Sequence, residues 1–183
     1  VYAGTTVNDG ITNAAGGLID TATNNGDDGI AVEGANVFGG IGNEGSIIAD
    51  SIAVYLADAS LFGNITNSGT SVGRAGIYPA RSVINGAIEN QANGTVVGEL
   101  VGVLVSRGSV SNGINNAGSI TGGSWEGLGI YGSAVIGGGI TNSGSIEAAS
   151  VGGAESIYIS SPAQVTGGIT NSGSLTGPLQ IFG

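Results

Sequence analysis

A chain of 183 residues with 40% apolar but only 9% charged residues is too apolar to stay disordered, and its 38 glycines lack the every-third period of collagen. Thirteen acids stand against three arginines, a formal net charge of −10 with no lysine or histidine, so nucleic-acid phosphates and anionic lipid are unsuitable partners. Aromatics are 5% of residues and cysteine is absent, which predicts a narrow core of branched aliphatics held without disulfides.

The absence of thiols fits an exported bacterial protein that has to pass a secretion pore. The chain starts at Val1 without a Met or a charged leader, so any signal peptide is expected to have been removed or excluded. No apolar run approaches the roughly 18 residues of a membrane helix, so no direct membrane insertion is expected.

Taken in chain order, one phrase dominates: an aliphatic residue, then Gly, Ile, any residue, Asn. It opens as Val7…Gly10-Ile11-Thr12-Asn13 and returns as Val37…Gly40-Ile41-Gly42-Asn43 and Leu61…Ile65-Thr66-Asn67. It continues as Val83…Ile88-Glu89-Asn90, Val110…Gly113-Ile114-Asn115-Asn116, Val135…Gly139-Ile140-Thr141-Asn142 and Val165…Gly168-Ile169-Thr170-Asn171. The seven asparagines recur on average about every 26 residues, the signature of a stacked repeat. Gly and Asn inside every unit argue against helical repeats, and scarce leucine argues against leucine-rich ones.

Each repeat reads as one coil of three short strands. The first carries the phrase. A turn follows at Glu44-Gly45, Ala117-Gly118, Ser143-Gly144 and Ser172-Gly173, where Gly is expected to supply a positive φ. A second strand begins after it, and a third, alternating strand follows a variable loop. Alternation sends every second side chain inward, which predicts four aliphatic columns. These are Val7, Val37, Leu61, Val83, Val110, Val135, Val165; then the seven isoleucines of the phrase; then Leu18, Ile47, Val72, Val96, Ile120, Ile146, Leu175; then Ile30, Val54, Ile77, Val103, Ile130, Ile157, Ile181. The expected fold is all-β: a single-stranded parallel β-helix of about seven coils over residues 1–183.

Asn13, Asn43, Asn67, Asn90, Asn116, Asn142 and Asn171 occupy one point of successive coils. They could be ligands, but an amide there also bonds backbone and the next amide in the stack, so a structural Asn ladder is the reading taken. Gly-Gly-Ile-Thr-Asn-Ser-Gly-Ser-Ile (138–146) and Gly-Gly-Ile-Thr-Asn-Ser-Gly-Ser-Leu (167–175) resemble the repeats of β-helical passenger (stalk) domains of bacterial autotransporters and related surface adhesins. The resemblance covers the whole chain and implies an extracellular, cell-surface structural or adhesive role. Within that family adhesion, self-association and enzymatic activity all occur.

The competing class is a carbohydrate-binding or polysaccharide-degrading β-helix enzyme. Such an enzyme clusters carboxylates in a cleft, whereas the acids here are scattered and no His can act as base. No catalytic residue, cofactor or metal is assigned. Asn24-Asn25-Gly26-Asp27-Asp28-Gly29 has oxygen ligands at short spacing, but the calcium-binding nonapeptide is missing and a solvated turn is the better reading. Arg74, Arg81 and Arg107 are expected to pair with nearby acids. Tyr55, Tyr78, Tyr131, Tyr158 and Phe182 each follow a third-strand aliphatic, so their rings are expected outward in one stripe, a surface for self-association or for glycans. Phe38 and Phe62 follow first-strand aliphatics in the same way. No cap is apparent at either end, which suggests an excerpt of a longer solenoid or a protomer that stacks end to end.

Overall fold

Short alternating segments separated by small residues cannot bury an apolar face alone, so each must stack on its copy one repeat away. The structure, a computed structural model describing residues 1–23, 26–149 and 153–182, realises this as a parallel β-solenoid without a helix among those residues. Two seven-stranded parallel sheets carry the phrase. One runs from Thr6–Val7 through Ser60–Phe62 to Gln164–Val165, and the other from Ile11–Asn13 through Ile88–Asn90 to Ile169–Asn171. The second and third strands of the coils join in one twelve-stranded sheet. They join because two central coils have no loop between them: Thr70–Ala80 and Thr95–Ser106 each run unbroken, with a register shift between Gly73 and Ala75.

Register corrects three of the four expected columns. The phrase isoleucines pair without exception from Ile11 to Ile169. In the first strand, however, Leu61 pairs with Ile84 and Val110 with Ile136, which leaves Val83 and Val135 outward and exposed. The inward residue always lies four positions before the phrase isoleucine, a spacing that Val83 and Val135 break. In the second strand Ile19 and Ser71 replace the expected Leu18 and Val72. Ser71 is fully buried because its hydroxyl donates to Asn67 Oδ1 at 3.1 Å.

The third strand supplies two inward columns. Ile30, Val54, Ile77, Val103, Leu128, Ile157 and Leu179 form one. Val32, Leu56, Pro79, Val105, Ile130, Ile159 and Ile181 form the other, so Ile130 and Ile181 do not stack on Ile77. Aliphatic side chains of the five columns meet in one continuous core; toward the ends Val7, Ile11, Ile19, Val165, Ile169 and Leu175 are only partly buried, and Leu179 and Ile181 are exposed. Each fully buried aliphatic contributes about 1.5–3 kcal/mol.

The turn glycines act by close approach. Gly45, Gly118, Gly144 and Gly173 do not have positive φ, contrary to expectation. A Cβ on Gly144 would instead run into the Gly118 carbonyl oxygen of the preceding coil, and one on Gly118 into that of Gly94. Left-handed backbone occurs elsewhere, at the residue before the phrase isoleucine in five repeats (as at Gly139, φ 83°) and at the corner after the third strand. There Gly34, Asp58, Arg81, Arg107 and Gly132 follow one another from coil to coil at φ between 50° and 63°.

Candidate functional site

The Asn ladder is continuous. Each Nδ2 donates to the Oδ1 of the next coil's asparagine, from Asn13 to Asn43 at 2.8 Å through to Asn142 and Asn171 at 2.7 Å. The same nitrogen reaches the carbonyl that opens the next coil's second strand, as from Asn116 to Ser145 at 2.9 Å. Asn43, Asn67, Asn90, Asn116 and Asn142 are buried to 3% exposure or less, and their oxygens and amides are occupied within the protein. In these five nothing is left over for a ligand.

Few of the acids and arginines have a side-chain partner among the described residues. Arg81 grips Asp58 with two hydrogen bonds at 2.7 and 2.8 Å, holding the Asp58 carboxyl below its ordinary range. Both are exposed, so the pair adds little stability. It is the only ion pair among the described residues, and the expected pairing of Arg74 and Arg107 is not seen. In the acidic turn Asp28 accepts the Ile52 amide and Asp50 accepts the Gly26 amide, while Asn24 and Asn25 lie outside the described residues.

The aromatic rings point outward, but not as one stripe. Tyr55 and Tyr78 are register partners with ring centroids 5.7 Å apart. Tyr131 stacks on Tyr158 at 5.1 Å, and Tyr158 meets Phe182 at 5.4 Å. Phe38 stacks on Phe62 at 4.5 Å over a different sheet. Between the two third-strand clusters the outward positions are Leu104 and Gly129. Because Ile130 belongs to the second inward column, Tyr131 sits one outward position beyond Tyr158, and its ring folds back over Gly129, where a Cβ would strike it.

The interruption leaves a cleft of about 450 Å³ lined by Tyr78, Leu104, Ser106, Trp125, Glu126 and Tyr131. It continues into a smaller recess of about 180 Å³ that Arg74 and Leu100 border. Trp125 hangs over this region from the loop before the third strand, its amide anchored on the Leu100 carbonyl at 2.8 Å and its side chain half exposed. Glu126 is 7% exposed. Its Oε1 accepts the Tyr131 hydroxyl at 2.6 Å, while Oε2 is buried with no hydrogen-bond partner.

Burial pushes the Glu126 carboxyl above its ordinary range, although the Tyr131 hydrogen bond pulls it back in part. Burial and the neighbouring carboxylate together drive the Tyr131 hydroxyl well above the ordinary tyrosine range. Glu155 lies on the next coil, where its carbonyl accepts the Gly127 amide at 3.0 Å, and its charge pushes Glu126 the same way.

Sequence reasoning placed Glu126 among scattered acids and gave Leu104 no role. The available signal was the small residue before each inward aliphatic: Gly76-Ile77-Tyr78, Gly102-Val103-Leu104, Gly127-Leu128-Gly129 and Ser156-Ile157-Tyr158 align without a gap. That alignment puts the break in the stripe at Leu104 and Gly129. It does not reveal the burial of Glu126, which depends on how the 123–127 loop folds over the preceding coil. Comparisons of the chain with protein-family models, with curated proteins and with solved structures give no match.

Proposed function

We propose that this chain is an extracellular structural and adhesive solenoid of a bacterial surface protein, making contacts through its outward third-strand face. The supporting observation is the pair of aromatic clusters on that face, Tyr55–Tyr78 and Tyr131–Tyr158–Phe182. The inside is filled by aliphatic columns and the ladder corner by satisfied amides, so the outer face is the part of the fold free to make contacts. Rings that stack pairwise and stay partly exposed lose little further freedom on meeting a second surface, and a copy of the same face supplies matching rings. The repeat resemblance to autotransporter stalks supports the same reading, with homotypic association as the contact.

The test is a Tyr55→Ser, Tyr158→Ser double variant, which spares both Glu126 and its hydrogen-bond partner. Sedimentation velocity over rising concentration should show association in the parent and none in the variant, with unchanged far-ultraviolet circular dichroism. Equal association in the two would refute the reading.

One arrangement favours the polysaccharide-acting alternative: Glu126 and Glu155 stand on adjacent coils, one buried and one more accessible. Paired carboxylates of unequal environment are what glycoside hydrolysis uses. Release of reducing ends from soluble polysaccharides, abolished in Glu155→Gln, is the result that would establish it.

A further inference from the structure

We propose that the cleft between the two aromatic clusters is a binding site for one neutral pyranose unit of a glycan. This rests on the aromatic face being a contact surface but not on self-association.

The cleft is defined by an omission. Outward positions along the face run Tyr55, Tyr78, Leu104, Gly129, Tyr158, so two coils lack their own outward ring. Coils lie roughly 4.8 Å apart, which makes the gap from the Tyr78 coil to the Gly129 coil about 10 Å. That admits a single sugar ring. Tyr78 and the half-exposed Trp125 present aromatic surface there, Leu104 forms an apolar floor, and the Tyr131 ring closes the far side. The apolar C–H face of a pyranose suits such a lining.

The polar groups select among ligands. Glu126 Oε2 lies buried without a partner, and a buried acceptor left unpaired is costly. Its Oε1 is already held by Tyr131, so the carboxylate is fixed in orientation, and the free oxygen, covered from solvent, accepts a ligand hydroxyl once the ligand displaces the side chains lying over it. Arg74, exposed and without an ion pair among the described residues, borders the adjoining recess and offers donors. A sugar hydroxyl both donates and accepts, so one ring can satisfy both ends. An anionic ligand would meet Glu126 and Glu155, and a cation would meet Arg74. A neutral polyol fits the balance of charge.

Trp125 is the only tryptophan in the chain, so its fluorescence reports on the cleft directly. The probes are the methyl pyranosides of glucose, galactose, mannose and N-acetylglucosamine, each titrated into the intact protein, with tetramethylammonium chloride as the cationic comparison. At least one glycoside should shift the emission with a saturable midpoint on the order of 1–10 mM, while tetramethylammonium does not. Leu104→Phe, which fills the cleft from its floor, should weaken that binding at least tenfold, and so should Tyr78→Ala. Tyr55→Ser, Tyr158→Ser should bind sugar like the parent even where self-association is lost. Folding of each variant is checked by its unfolding midpoint. No saturation by any glycoside, saturation by tetramethylammonium alone, or binding that survives both cleft substitutions in folded protein each overturns the proposal.

Discussion

At Asn90 a single side chain serves four neighbours. Its Nδ2 reaches Asn116 Oδ1 at 2.8 Å and the carbonyls of Ser119 and Gly94 at 3.1 and 3.2 Å, while its Oδ1 accepts Asn67 Nδ2 at 2.9 Å. Asn90→Ala leaves buried donors and acceptors unpaired, and a loss of about 1–3 kcal/mol is expected in urea unfolding. Asn90→Asp is the harsher change at pH 7, because it places a carboxylate among carbonyl oxygens that need a donor. Its stability should recover toward that of the Ala variant as the pH falls and the carboxyl gains a proton. Glu126 tests the same sign on the outer face. Its folded-state affinity for a proton is raised, so between the ordinary carboxylate range and its own the folded protein holds a proton that the unfolded chain has released. Stability contributed at this site is therefore present at low pH and falls as pH rises through that window. Glu126→Gln keeps an acceptor for the Tyr131 hydroxyl and removes the charge. Its thermal midpoint should exceed the parent's at pH 7, and the difference should close below about pH 4.

The strands are individually only two to six residues long in most coils, and what fixes them is their neighbours. A strand of three residues such as Ile140–Asn142 holds its place because Ile140, Thr141 and Asn142 each meet their counterparts on both sides. The turn after it is equally constrained, since Gly144 passes against the Gly118 carbonyl with no room for a side chain. Gly144→Ala should cost about 1–3 kcal/mol by overpacking, read from the denaturation midpoint, although the backbone there is open to any residue by φ. Gly16→Ala is the informative comparison: that glycine has φ of 77° and open space around its Cβ position, so its cost would come from backbone strain alone. The long strands Thr70–Ala80 and Thr95–Ser106 show the other extreme. Here the second and third strands fuse across a bulge, and the face they make is the one that holds Tyr78 and Leu104.

In the whole molecule each coil touches only the coils beside it, so the energy of a core residue depends on how many neighbours its coil has. Ile114 is 1% exposed between two packed coils, whereas Ile169 is partly buried in the last of the seven strands of its sheet. Ile114→Ala should cost about 2–5 kcal/mol in guanidinium unfolding, and Ile169→Ala distinctly less. The net charge of −10 acts at this scale too. It repels copies at long range, so association through the aromatic face should strengthen with added salt as screening shortens that repulsion.

The repeat, the parallel solenoid, the isoleucine column and the asparagine positions were legible in the sequence, because each follows from identity at a fixed period and needs no knowledge of side-chain direction. The phrase from Gly138 to Ile146 and its copy from Gly167 to Leu175 state their pairing outright. Where two aliphatics stand together hydrophobicity does not choose the inward one: spacing to the phrase isoleucine singles out Ile84 over Val83 and Ile136 over Val135, but Leu18 and Ile19 are chemically equivalent and only register selects one. Ser71 was missed because hydrophobicity favours Val72, while the buried hydroxyl is held by Asn67. The glycines at the turn were recognisable as a column, but their cause was the nearness of the next coil, which no single repeat contains. The break in the aromatic stripe follows from the aligned third-strand triplets, but the tertiary structure alone opened a cleft at Leu104 and buried Glu126 with one oxygen paired and the other free. Those features depend on how a loop of one coil lies against the next. Periodicity determines that the coils stack; what lies between their irregular parts is decided by contact.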